Sequence, residues 1–123
     1  MLGSKILIVE DEIIIAIDLK MRLENLGHYV LDTAFNGKDA ITKTGETNPD
    51  LVLIDIQLNG EIDGIDAANQ IHELFNIPFI YLTGSQNDDI FERAKQTGPL
   101  SYINKPFDET EIQNAIEMAV LTK

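Results

Sequence analysis

Five short apolar runs punctuate the chain: Lys5–Val9, Tyr29–Ala34, Leu51–Ile54, Pro78–Leu82 and Leu100–Ile103. The stretches between them are long enough for crossover helices, and strands alternating with helices at this spacing predict a parallel sheet covered on both faces. Ile6-Leu7-Ile8-Val9, Leu51-Val52-Leu53-Ile54 and Phe79-Ile80-Tyr81-Leu82 have no polar side, as central parallel strands require, whereas Asp32 and Thr33 interrupt the second run and Ser101 the fifth. Placing the second and fifth runs at the edges with right-handed crossovers gives the order 2-1-3-4-5. The predicted fold class is α/β: a single doubly wound, five-stranded parallel sheet of flavodoxin-like order with helices on both faces.

Helix signals lie between the runs. Ala16, Leu19, Leu23 and Leu26 recur at spacings of three and four ahead of Gly27, which stands where a left-handed C-cap is wanted. Near the end of the chain Asp108 is a candidate N-cap with Glu111 three residues later, and Ile112, Ala115, Ile116, Ala119 and Val120 form one stripe. Ala67–Phe75 and Ile90–Ala94 also read as helical, while Gly45 and three threonines dilute the pattern over Lys38–Thr47.

The chain has 123 residues, a length that suits one domain able to bury a core, spanning 1–123, with no further domain expected. The absence of cysteine removes disulfides, thiolate metal sites and cysteine nucleophiles, and two histidines, His28 and His72, are too few for a His-rich metal cluster. No apolar run approaches the roughly 18 residues of a membrane span, and no signal-peptide pattern precedes the first strand, so a cytoplasmic protein is expected. A formal net charge of -12 argues against direct binding of nucleic acid or an anionic membrane, and for a cation or a basic partner.

In a doubly wound sheet the carboxyl ends of the strands carry function. Here the first strand runs into Glu10-Asp11-Glu12, the third into Asp55, the fourth into Thr83-Gly84 and the fifth, after Asn104, into Lys105-Pro106. The first and third strands flank the point where the strand order reverses, so Glu10, Asp11 and Asp55 should share a crevice. Carboxylates within roughly 6 Å oppose one another's ionisation unless a cation neutralises them. An all-oxygen set suits Mg²⁺, and Lys105 adds a positive charge. Taken singly, acidic residues between a strand and a helix are also ordinary partners of a helix terminus or a turn; their joint placement on one sheet edge favours a site.

These residues carry a resemblance. ILIVEDE, DLVLIDI, YLTG and SYINKPF together resemble the receiver domain of two-component response regulators over essentially the whole chain. The resemblance implies that Asp55 accepts a phosphoryl group from a phosphohistidine on a sensor histidine kinase or phosphotransfer protein. It further implies Mg²⁺ held by Asp11, Asp55 and the main-chain carbonyl of Gln57, with Glu10 acting largely through water. Thr83 and Lys105 would assist transfer, Thr83 and Tyr102 would act as the switch, and the Lys105–Pro106 peptide would be cis. The protein would be a signalling domain that promotes its own phosphorylation and dephosphorylation rather than an enzyme, with a homodimer or an output partner meeting helix four, strand five and helix five.

Two departures from the family pattern stand out. IQLNGEI, between Asp55 and Asp63-Gly64, is one residue longer than the commonest pattern and lacks its frequent proline, and Pro99 follows Gly98 where alanine is common. Three other readings compete. An aspartyl-phosphate hydrolase of the haloacid dehalogenase type would want an aspartate where Gln57 stands. A flavin-type cofactor binder would want a phosphate loop where Glu10-Asp11-Glu12 would repel phosphate. A pseudo-receiver would bind partners without phosphorylation. His28 reads as a turn residue, His72 as a surface or half-buried side chain, and Phe79, Tyr81, Phe91 and Phe107 as packing residues.

Overall fold

The computed structural model describes residues 3–84 and 88–121. Its elements alternate: β1 (Lys5–Val9), α1 (Ile13–Asn25), β2 (Tyr29–Ala34), α2 (Gly37–Thr47), β3 (Leu51–Asp55), α3 (Gly64–Phe75), β4 (Phe79–Thr83), α4 (Asp88–Lys95), β5 (Tyr102–Asn104) and α5 (Glu109–Leu121). The five strands pair in parallel in the order β2-β1-β3-β4-β5, as the apolar pattern predicts.

Strand alternation splits the core into two layers. Ile6, Ile8, Leu53, Ile80 and Leu82 point to the face covered by Ala16, Leu19 and Leu23 of α1 and Ile112, Ala115, Ile116 and Ala119 of α5. Leu7, Val9, Val52, Ile54, Phe79 and Tyr81 point to the opposite face, under Ala40 of α2, Ile65, Ala68 and Ile71 of α3 and Ala94 of α4. Burying each such Leu, Ile or Phe stabilises the fold by about 1.5–3 kcal/mol. Val120 of the predicted α5 stripe lies outside the described side chains.

The ends of α1 and α2 show why the chain folds this way locally. Gly27 has φ +91°, its N–H bonds the carbonyl of Glu24, and the N–H of His28 bonds that of Leu23, which closes α1 in a Schellman turn. In α2, Asn36 accepts from the Asp39 N–H at 2.8 Å, and Thr42, Thr44 and Thr47 each donate to the carbonyl four residues back. The Asn36 cap and the packing of Ala40 and Ile41 on the core sustain a helix that composition alone left weak, while its threonines satisfy their hydroxyls on their own backbone.

Two local expectations are revised. Asp108 does cap α5, accepting from the Thr110 N–H at 3.0 Å, but Glu111 does not complete a capping box; its carboxylate instead accepts from the N–H and the side-chain amide of Asn104, at 2.7 and 3.0 Å. His28 does lie in the turn that closes α1, but its side chain is buried: its Nδ1 accepts from the Ser4 N–H at 3.0 Å, and Nε2 faces Gln113 at 3.4 Å.

Candidate functional site

The site forms where β1 and β3 end side by side. Glu10 follows β1 directly, and its N–H bonds the carbonyl of Ala34, so pairing with the β2 side continues one residue past the strand. This holds the Glu10 side chain inside the protein, 0 % exposed. Asp55 is the last residue of β3, in register with Leu82, and is itself buried. Asp11 is half-buried at the start of the loop to α1. One carboxylate oxygen from each of Glu10, Asp11 and Asp55 lies within 4.8 Å of the others.

Gly64 makes this packing possible. A Cβ there would overlap the main-chain carbonyls of Asp55 and Ile56, so the first turn of α3 can press against the end of β3 only with glycine at that position.

Lys105 approaches from the β5 side. Its N–H donates to the carbonyl of Thr83 at 2.8 Å, and the Lys105–Pro106 peptide is cis. The ammonium donates to Asp55 Oδ2 at 3.1 Å and stands 2.6 Å from Glu10 Oε1, without the alignment of a hydrogen bond to that oxygen. Asp55 Oδ1 accepts from the N–H of Gln57 at 3.0 Å, and Glu10 Oε2 from the N–H of Glu12 at 3.1 Å. Gln57 turns its side chain to solvent, Thr83 is buried at the end of β4, and both belong to segments adjoining Asp55.

Electrostatics follow from this geometry. Burial pushes the Glu10 carboxyl up to about 7, the Asp55 charge adds to the rise, and the Lys105 ammonium and Glu12 N–H offset only part of it. Burial works against the Lys105 charge, but its contacts with Glu10 and Asp55 outweigh that and hold it above the usual lysine value. One ammonium thus faces two buried carboxylates, with Asp11 beside them. Among the described residues Glu10 Oε1 meets only the Lys105 ammonium, which is shared with Asp55, and the three acids supply only oxygen, the donor set that magnesium prefers. The residues present fit a divalent cation.

Tyr102 sits half-buried on β5, opposite Tyr81, with ring centroids 6.0 Å apart, and 5.5 Å from the Phe91 ring on α4. Burial raises the phenol of Tyr81 to about 12, with its hydroxyl 2.6 Å from Thr97 Oγ1. Phe79 and Phe107 are core residues, and His72 is exposed with its ring edge toward Phe79 at 6.3 Å.

Sequence reasoning passes over one contributor. Asn59 donates to Asp11 Oδ2 through its main-chain N–H at 3.2 Å and its side-chain amide at 2.8 Å. Asn59-Gly60 reads as a turn dipeptide, and nothing in its spacing points to Asp11, 48 positions earlier.

Comparison with known proteins is consistent across sequence and structure. Residues 6–117 match the family model described as response regulator receiver domain. The chain is 36 % identical over 116 residues to the transcriptional regulatory protein PdtaR of Mycobacterium tuberculosis, covering 94 % of this chain and 56 % of that protein. It is 34 % identical over 120 residues to the phyllosphere-induced regulator PhyR of Methylorubrum extorquens, covering 97 % and 44 %. The chain thus spans about half the length of these curated relatives. Among solved structures, the signal receiver domain of a modulated diguanylate cyclase from Desulfovibrio desulfuricans superposes with a TM-score of 0.93 at 37 % identity, covering 98 % of this chain and 95 % of that one.

Proposed function

This chain belongs to the family of response regulator receiver domains, and from that premise we propose that Asp55 is its phosphoryl acceptor in a two-component pathway. The observation that carries the reading is the convergence on Asp55 of the Lys105 ammonium at 3.1 Å and the carboxylates of Glu10 and Asp11. The donor is a phosphohistidine on a sensor histidine kinase or phosphotransfer protein. An Asp55 carboxylate oxygen forms a bond to phosphorus as the phosphorus–nitrogen bond breaks; the phosphoryl group passes to Asp55 as an acyl phosphate, and the imidazole leaves with its electron pair and takes a proton.

Glu10, Asp11, Asp55 and the main-chain carbonyl of Gln57 would hold Mg²⁺, which when bound neutralises charge on the phosphoryl oxygens and between the carboxylates. Lys105, already paired with Asp55, follows the transferred group's charge. The Thr83 hydroxyl takes a phosphoryl oxygen, and Tyr102, which packs against Phe91 of α4, passes the change to the surface of α4, β5 and α5. That surface is where an output partner or a second copy would bind. Beside the site, Ile13, Ile14, Ile17 and Met21 expose an apolar stripe along α1, which starts three residues after Glu10, and a docked donor would cover it in this reading. No helix among the described residues is long and apolar enough to cross a membrane, and the reading places the protein in the cytoplasm.

Intact mass after incubation with acetyl phosphate and Mg²⁺ tests this. One hydroxylamine-labile phosphoryl adduct is expected, absent without metal and absent in Asp55→Asn. No adduct in the parent protein would overturn the assignment and favour a pseudo-receiver that binds partners unphosphorylated.

A further inference from the structure

The loop from β3 to α3 is pinned at several points. Ile56 and Leu58 are buried, alternating with exposed Gln57 and Asn59, so its first part is anchored through two side chains. Glu61 pairs with Lys38 of α2 at 2.5 Å, and Asp63, the N-cap of α3, with Arg93 of α4 at 2.6 Å. Gly60 turns the chain at φ +124°, a conformation that would strain any residue with a side chain. Between these contacts both N–H groups of Asn59 reach the same oxygen of Asp11.

We propose that Asn59 is a positioning residue for Asp11: its paired hydrogen bonds fix the carboxylate, before any cation binds, in the orientation from which it ligates. The inference rests on the reading of this crevice as a Mg²⁺-dependent phosphoryl-acceptor site. Two donors on Oδ2 set the torsion of the carboxylate and leave Oδ1 uncommitted by these bonds. Partners that orient a metal ligand tune affinity by about 10–100-fold where the site is enclosed. Here Asp11 is half-buried, and the main-chain donor survives truncation of the side chain, so the effect should be smaller.

Calorimetric titration of Mg²⁺ into the 123-residue protein and its Asn59→Ala variant tests the proposal, together with thermal melts of both in EDTA. Asn59→Ala should weaken Mg²⁺ binding by roughly 3–10-fold and shift the EDTA melting temperature by no more than about 2 °C, because the contact is exposed. A purely structural role would move the melt and leave the affinity alone. Asn59→Asp, which sets a carboxylate against Asp11, should melt lower in EDTA and recover with Mg²⁺. Unchanged affinity in Asn59→Ala overturns the proposal, as does tighter binding, which would make the amide a competitor of the cation. An Asn59→Asp protein as stable as the parent in EDTA also overturns it. If the parent itself binds no Mg²⁺, both this proposal and the metal-dependent reading of Asp55 fall, whereas a parent that binds normally and an Asn59→Ala protein that binds equally well remove this proposal alone.

Discussion

Replacing Glu10 by glutamine should stabilise the metal-free protein more as pH rises. The folded carboxyl titrates near 7 because burial opposes its charge, whereas in the unfolded chain it loses its proton near 4.5. The folded state therefore holds a proton that the unfolded chain releases. The stability this brings is fully present below the unfolded value and is lost as pH rises through the folded one. Each tenfold change in proton affinity is worth about 1.4 kcal/mol, so the two values set a ceiling of about 3 kcal/mol on the cost of the Glu10 charge. That cost is already net of Lys105, which retains Asp55 at 3.1 Å when Glu10 is neutral.

Glutamine mimics the neutral acid but has one acceptor oxygen, while Glu10 Oε1 faces Lys105 and Oε2 accepts from Glu12. Its amide group must sit badly toward one of them, a loss of about 1 kcal/mol that does not change with pH. The informative quantity is thus the stability difference between Glu10→Gln and parent at pH 8 minus the same difference at pH 5. It should be about 2–3 kcal/mol in favour of the variant at the higher pH. Urea unfolding followed by circular dichroism in EDTA measures it, since the single domain should unfold in one step and all other titrations cancel between the two proteins. A difference that does not change with pH, within about 0.5 kcal/mol, would refute the argument that desolvation of Glu10 strains this site.

The remaining predictions concern the same crevice and its supports. Mg²⁺ at ten times its dissociation constant should add about 1.4 kcal/mol to unfolding stability, read as a rise in melting temperature that EDTA reverses; no rise would count against the acid cluster as a cation site. Lys105→Ala leaves Glu10 and Asp55 facing each other without their ammonium, and should lose about 2 kcal/mol at pH 8, less than a fully enclosed pair because Lys105 is partly solvated. A loss confined to pH 5 in urea titrations would contradict this. Gly64→Ala should cost about 2 kcal/mol or more, since the new methyl meets backbone rather than a movable side chain; an unchanged melt would show that α3 can back away from Asp55. Tyr81→Phe should cost about 1 kcal/mol through its lost bond to Thr97, measured by the same denaturant titration.

The alternation of apolar runs with helical stretches determined the fold class, and the unequal polarity of the strands determined the sheet order, because a parallel strand buried on both faces cannot carry Asp32 and Thr33 in the way the edge strand β2 can. Once the order was set, the carboxyl ends of the strands put Glu10, Asp11, Asp55 and Lys105 on one edge without further information. Other features depended on neighbours distant in sequence. The α2 helix formed despite Gly45 because Ala40 and Ile41 pack against the core layer that α3 completes. Glu111 left its capping position for Asn104, and His28 keeps its turn but buries its ring against Ser4, each drawn by a donor that only chain reversal brings near. Asn59 reached Asp11 for the same reason. Local pattern decides which residues a strand or helix will bury, since periodicity is a property of the segment itself; hydrogen bonds between segments depend on ångström-scale approach, and that exists only after the sheet and both helical layers have packed.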